Sequence, residues 1–231
     1  MLSWLPFLVF SWMSPAFAEG TECVDYGESP DQLVHLESQA TRGALGKADL
    51  DCLEKSYASV KEMTTKDKIS RVLLVNAYAF DTRVWADLVH RHLDEVDQSD
   101  PNIAFLYSYY LHNRGVGSAE DVIHWTEVGL ERKHDWTGEI YVSRVYSLLK
   151  LRAVAASMVW DEVEKKYAAA GGENGSQQDL QDEIKTQRNR TKTFAREWLD
   201  FAKAAGRDTT EALELCISAA SETACSVDRS E

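Results

Sequence analysis

Apolar side chains recur at intervals of three and four along most of the chain beyond residue 30. Leu33, Leu36 and Ala40 open the pattern, and Leu50, Leu53, Tyr57 and Val60 repeat it. Ile69–Ala79 is almost continuously apolar, as expected of a helix buried on most sides. Trp85, Leu88, Val89 and Val96 follow with charged residues between them, and the same spacing runs on through Leu151 to Tyr167. This period lays apolar groups along one side of a helix, and strand-like alternation is absent over any useful length. The breaks are short: Gly43–Gly46, Thr64–Asp67, Phe80–Thr82, Gln98–Pro101, Gly115–Ser118 and Asp135–Gly138. Each offers an N-cap candidate or a helix-stopping glycine. Helices joined by turns this short pack antiparallel on their neighbours. The pattern therefore predicts an all-α fold built of helical hairpins.

Beyond Tyr167 the composition changes. Residues 168–178, "AAAGGENGSQQ", are small and polar and read as a linker. A long helix follows, from Asp179 to about Ala205. Its residues Leu180, Ile184, Gln187, Thr191, Phe194, Trp198, Phe201 and Ala205 step by alternating fours and threes, a heptad seam that is polar first and aromatic later. Trp198 and Phe201 are too large to leave in water. The seam predicts a helix that caps the preceding hairpin, or else self-association through 179–205. Gly206 ends this helix, and a short helix over Thr209–Ala219 closes the pattern.

The first eighteen residues are different. "MLSWLPFLVFSWMSPAFA" has no charged side chain, is too short to span a bilayer comfortably, and is interrupted by Pro6 and Pro15. Ala16-Phe17-Ala18 has the A-x-A form of a signal-peptide cleavage site, so residues 1–18 are expected to be removed on export. The expected mature chain starts near Glu19, and no later segment is apolar enough to insert in a membrane. Its four cysteines, Cys23, Cys52, Cys216 and Cys225, form two sequence-local pairs. Export permits disulfides, and loop-closure entropy favours Cys23–Cys52 and Cys216–Cys225 among the three possible pairings. The net charge is −13. That argues against nucleic-acid binding, which needs a cationic face.

The helices show a weak repeat. Ala48, Ala86, Ala119 and Ala153 stand near the start of the second helix of successive pairs, at steps of 38, 33 and 34. A period near 34 is that of helix-turn-helix solenoids. The third pair, "SDPNIAFLYSYYLHNRGVGSAEDVIHWTEVGLER", carries Asp100-Pro101 before a helix, Tyr110, Gly115 at the turn, Ala119 and Ile123. On these residues the chain resembles the tetratricopeptide-repeat family and its Sel1-like relatives, over roughly Leu33 to Tyr167. Gly43, Ala48, Cys52 and Tyr57 give a partial first copy, and Trp136, Ala153 and Trp160 a fourth. Asp-Pro stands about one turn nearer to Gly115 than the family places it, and the 38-residue step needs an inserted turn near Asp81. The resemblance implies about four hairpins over 19–167, capped by 179–231, and a concave groove lined by the first helix of each pair. In that register Arg71, Val75, Tyr78, Ser108, His112, Val142 and Tyr146 line the groove. The set is mixed rather than cationic, so it does not match the clamp by which some family members hold a peptide's terminal carboxylate. Tyr107 and Tyr110 share a face and are expected to pack into the hairpin, leaving only Ser108 and His112 of the third pair to touch a partner.

Candidate chemistry is sparse. His90, His92 and Asp94 are the closest metal-like cluster, but only His90 and Asp94 share a helical face. Ser147 and Lys150 satisfy an S-x-x-K pattern without its accompanying motifs. Asn174 and Asn189 head N-glycosylation patterns. No catalytic residue, metal or cofactor is expected. The sequence therefore predicts an exported, non-enzymatic interaction or scaffold protein that binds a protein or peptide, in a bacterial periplasm or outer envelope. A helical-scaffold enzyme acting on carbohydrate or peptidoglycan, and a homo-oligomer built through the heptad helix, are the alternative readings.

Overall fold

A computed structural model describes residues 23–24, 26, 30–78, 82–170, 176–220 and 225 of the 231-residue chain. The expected signal peptide and the Asp81 break lie outside them, as do residues 171–175 of the expected linker. Among the described residues the structure is all-α: α1 (Pro30–Ala40), α2 (Lys47–Ser59), α3 (Met63–Tyr78), α4 (Thr82–Glu95), α5 (Pro101–Arg114), α6 (Ala119–Glu131), α7 (Gly138–Ala169), α8 (Ser176–Ala204) and α9 (Thr210–Ala219), with a single 3-10 turn at Lys133–Asp135. They divide into two compact units, one ending at Asn76 and the other beginning at Ala77.

In the first unit the three-and-four pattern marks the buried side of each helix. Leu33, Leu36 and Ala40 of α1 and Leu53 and Tyr57 of α2 are buried, as are Ile69, Val72, Leu73 and Leu74 of α3. Cys23 is disulfide-bonded to Cys52, so the segment before α1 is tied covalently to the middle of α2. Arg71 lies along α3 and donates through Nε to the Asp67 carboxylate one turn earlier, at 3.0 Å.

The second unit begins with α4 against α5 and continues as a chain of neighbours, α5 on α6, α6 on α7, α7 on α8 and α8 on α9. The entry to α5 follows from its residue types. Asp100 accepts at Oδ1 from the backbone N–H groups of Asn102 (2.8 Å) and Ile103 (3.3 Å), and Pro101 occupies the first turn, where its missing N–H costs nothing. Gly115 ends the helix at φ 61°, a left-handed conformation that a Cβ would strain. Ser118 and Asp121 then cap α6 reciprocally: Ser118 N–H donates to Asp121 (2.7 Å), and Asp121 N–H donates to Ser118 Oγ (3.2 Å).

The fourth hairpin differs from the repeat reading. Nothing breaks the chain at Ala153: α7 runs unbroken for 32 residues. Between Glu139 and Ala169 there is no Gly or Pro, and Leu, Lys, Arg and Ala around the expected turn are strong helix formers. Ala153 is buried within one helix, while Ala48, expected at a close crossing, is exposed. The return strand of this hairpin is α8. Contacts pair its two helices antiparallel from end to end: Gln181 donates to the Tyr167 hydroxyl (2.7 Å), Arg152 pairs with Glu197, the Tyr146 and Trp198 rings meet edge to face (6.0 Å), and Arg207 pairs with Glu139. The heptad seam of α8 therefore faces α7. Thr191 and Trp198 are fully enclosed and Phe194 and Phe201 half-buried. Much of that apolar surface is therefore enclosed against α7. Both ends of the expected linker are helical, since α7 reaches Ala169 and α8 starts at Ser176.

The core of this unit joins Val145, Leu148 and Leu149 of α7, Ala195, Trp198 and Leu199 of α8, and Ala212 and Cys216 of α9. Cys216 is bonded to Cys225, which fastens the C-terminal segment beneath α9. Both cysteine pairings agree with the loop-closure argument. Two disulfides and no free cysteine point to an oxidising, extracellular compartment. Among the described residues no helix is long and apolar enough to cross a membrane.

Candidate functional site

One concavity of the second unit lies on the outer face of α5. This helix is apolar on two sides. Ala104, Tyr107, Ser108 and Leu111 form its buried side. On the other, two ridges of residues four apart run side by side, Phe105–Tyr109–Asn113 and Leu106–Tyr110–Arg114. With Tyr78 at the end of α3 and Trp85 of α4 they line an open pocket of about 630 Å³.

The pocket is floored by contacting rings. Trp85 lies 5.4 Å from Tyr78, 5.0 Å from Tyr110 and 6.1 Å from Tyr107, centroid to centroid, and Phe105 lies 5.1 Å from Tyr109. Such pairs hold one another in place, at about 0.5–1.5 kcal/mol each beyond area burial. Tyr107 is the buried support: it stacks on Tyr110 at 6.0 Å and its hydroxyl lies 2.8 Å from His90 Nε2. Burial, followed by the neighbouring Tyr110 and Asp121, pushes its phenol above the usual value. Tyr78 remains 59% exposed.

Two arginines attend the aromatic stripe. Arg114 lines the pocket. The Arg144 guanidinium lies over Phe105 (5.3 Å) and Trp136 (5.2 Å) and donates to the side-chain oxygen of Asn102, which also accepts from Trp136 Nε1 (3.0 Å). Burial lowers the basicity of Arg144, opposed by the charge of Asp100. The lining thus supplies rings, an amide and a guanidinium. None of the lining residues is a carboxylate, thiol or imidazole.

The residues expected in a groove are distributed differently. Arg71 and Val75 belong to the first unit, both half-buried, with Arg71 held by Asp67. Tyr78 does line the pocket. Ser108 does not: it is fully buried, and its hydroxyl donates to the Phe105 carbonyl at 2.9 Å. Tyr146 is turned to the C-terminal helices, packed on Trp198 with its hydroxyl donating to the Asp208 carbonyl (3.2 Å). Val142 and His112 are half-buried and are not among the pocket-lining residues. Of Tyr107 and Tyr110, both expected to pack inward, Tyr107 is buried while Tyr110 lines the pocket, and Ser108, expected to touch a partner, is enclosed. Phe105, Asn113 and Arg114, which face the pocket, were not singled out. The signal that could have found them is the pair of i, i+4 ridges on the side opposite Ala104 and Leu111.

The other sequence candidates have structural employment. His92 is buried and donates through Nε2 to Asp100 Oδ2 at 3.1 Å, while His90 is exposed and meets Tyr107, so the histidines of α4 do not converge with Asp94. Lys150 pairs with Glu211, which holds its ammonium above the ordinary value. Asn189 is exposed on α8, but the hydroxyl of Thr191 is turned inward to the Gln187 carbonyl (2.9 Å); Asn174 lies outside the described residues. A second concavity of about 390 Å³, between α6, α7 and α8, contains two carboxylates, each already ion-paired: Glu197 with Arg152, and Asp200 with Arg196 at 4.0 Å. Comparison with protein-family models, with curated proteins and with solved structures finds no match to the chain.

Proposed function

We propose that the protein is an exported, non-enzymatic protein-binding module of the tetratricopeptide-like helical-hairpin kind, and that it engages its partner through the aromatic pocket on α5. The observation that carries this reading is the open aromatic concavity on the outer face of α5. A soluble chain gains nothing by leaving Tyr78, Tyr109 and Tyr110 around an open concavity unless something covers them. Aromatic side chains held rigidly by their neighbours, with a guanidinium at the rim, are the usual anchors of protein interfaces. The two disulfides and the apolar first eighteen residues support cleavage near Ala18 and residence outside the cytoplasm, in a periplasm or outer envelope. The test is affinity capture from secreted and envelope fractions of the source cell. Disulfide-bonded protein is compared with a Tyr109→Ala/Arg114→Ala double variant of unchanged thermal stability. The reading expects at least one protein retained by the first and lost by the second. Identical captures would overturn it.

A further inference from the structure

Two arginines beside the pocket on α5 have no carboxylate partner among the described residues. Several arginines elsewhere in the second unit are matched: Arg132 with Asp97 and Asp135, Arg190 with Glu120. The Arg114 side chain makes no hydrogen bond or ion pair among the described residues and is exposed at the pocket rim. Arg144, over the Phe105 ring, is bonded to an amide oxygen rather than to a carboxylate. The nearby acid, Asp100, is occupied by the N-cap of α5 and by His92. Phe105 and Arg114 are nine positions apart on one helix, about 13 Å along its axis. The two guanidinium groups therefore mark opposite ends of the aromatic stripe.

We propose that the pocket takes an acidic segment of a partner protein: an aromatic or large aliphatic side chain seats against Tyr109 and Tyr110, and flanking carboxylates meet Arg114 at one end and Arg144 at the other. An extended chain advances about 3.3 Å per residue, so the two acids stand about four residues apart with the anchor between them. The net charge of −13 sharpens the choice. It disfavours an acidic segment elsewhere on the surface, and at this pocket two arginines without a carboxylate partner offset that repulsion. The proposal rests on the protein-binding reading above.

The experiment is a display selection of random dodecapeptides on disulfide-bonded protein. Enriched peptides, fluorescently labelled, are then titrated against wild type, Tyr109→Ala and Arg114→Glu, each checked for an unchanged melting temperature. The expected peptides carry an aromatic or large aliphatic residue bracketed by Asp or Glu, bind less tightly as salt rises, and lose about tenfold or more in affinity on Arg114→Glu, the scale of one charge-assisted hydrogen bond. Peptides that need Tyr109 but lack acids, or that ignore Arg114→Glu, overturn the acidic-segment proposal and leave the protein-binding reading standing. A selection with no peptide sensitive to Tyr109→Ala overturns both.

Discussion

Asp100 does more than any other single residue of α5. One carboxylate oxygen takes the two N-cap hydrogen bonds and the other takes His92 Nε2, all out of contact with solvent. Asp100→Ala removes the cap and strips a buried imidazole of this partner. It should cost about 2–4 kcal/mol in urea unfolding, and Asp100→Asn, which keeps a cap acceptor, clearly less. A loss below about 1 kcal/mol for alanine would show the cap to be incidental. Hydrogen-bonded carboxylates set the acid limit. Asp121 is held below the ordinary value by hydrogen bonds from the Ser118 N–H and hydroxyl; in Asp97, burial pushes upward but donors on Arg132 and Ser99 outweigh it. A carboxyl depressed in the folded state stabilises fully above its unfolded value, about 4. That contribution drains as pH falls through the folded value. Melting temperature should therefore stay level from neutral to about pH 5 and drop below about pH 4, with a shallower drop in Asp97→Asn; a fall centred near pH 6 would assign the acid limit to histidine instead. At this scale the caps were legible, because Asp-Pro and Ser-x-x-Asp act on their own backbone. The contact residues were not: Ser108 and Tyr109 are adjacent, and only packing decides which one is enclosed.

Among the elements, the α6–α7 crossing turns on a residue that the repeat pattern does not mark. A Cβ on Gly129 would stand 2.9 Å from Leu148 Cδ1, and Leu148 is fully buried. Gly129→Val should overpack this contact and destabilise by about 1–3 kcal/mol, read by chemical denaturation. Equal or greater stability would mean that the helices have room to part. Helix existence was readable from the three-and-four period, and α1, α2 and α5 match it closely. Two features were not readable. A periodic stretch without Gly or Pro carries no mark of where a hairpin would turn, and so α7 passes through the position assigned to a turn. A heptad seam fits a partner helix of its own chain or of another equally well, and proximity in the chain gave α7 the place.

For the whole molecule, the disulfides hold the ends of the described chain: Cys23 to α2, and Cys225 to α9. Their sequence separations, 29 and 9, correspond by loop-closure entropy to about 3.5 and 2.5 kcal/mol. Reductant should lower the unfolding midpoint accordingly, Cys23→Ala/Cys52→Ala should cost more than Cys216→Ala/Cys225→Ala, and a non-reducing peptide map should recover only these two pairs. Mixed pairs would refute the local connectivity.

By itself the sequence determined the helical class, the capped starts of α5 and α6 and the cysteine partners, because each depends on residues near one another in the chain. The tertiary structure alone decided which side of α5 is buried. That helix is apolar on two sides, so its period does not name the inner one. Only the placing of α6 and α7 against Ala104, Ser108 and Leu111 leaves Phe105, Tyr109, Asn113 and Arg114 facing the pocket.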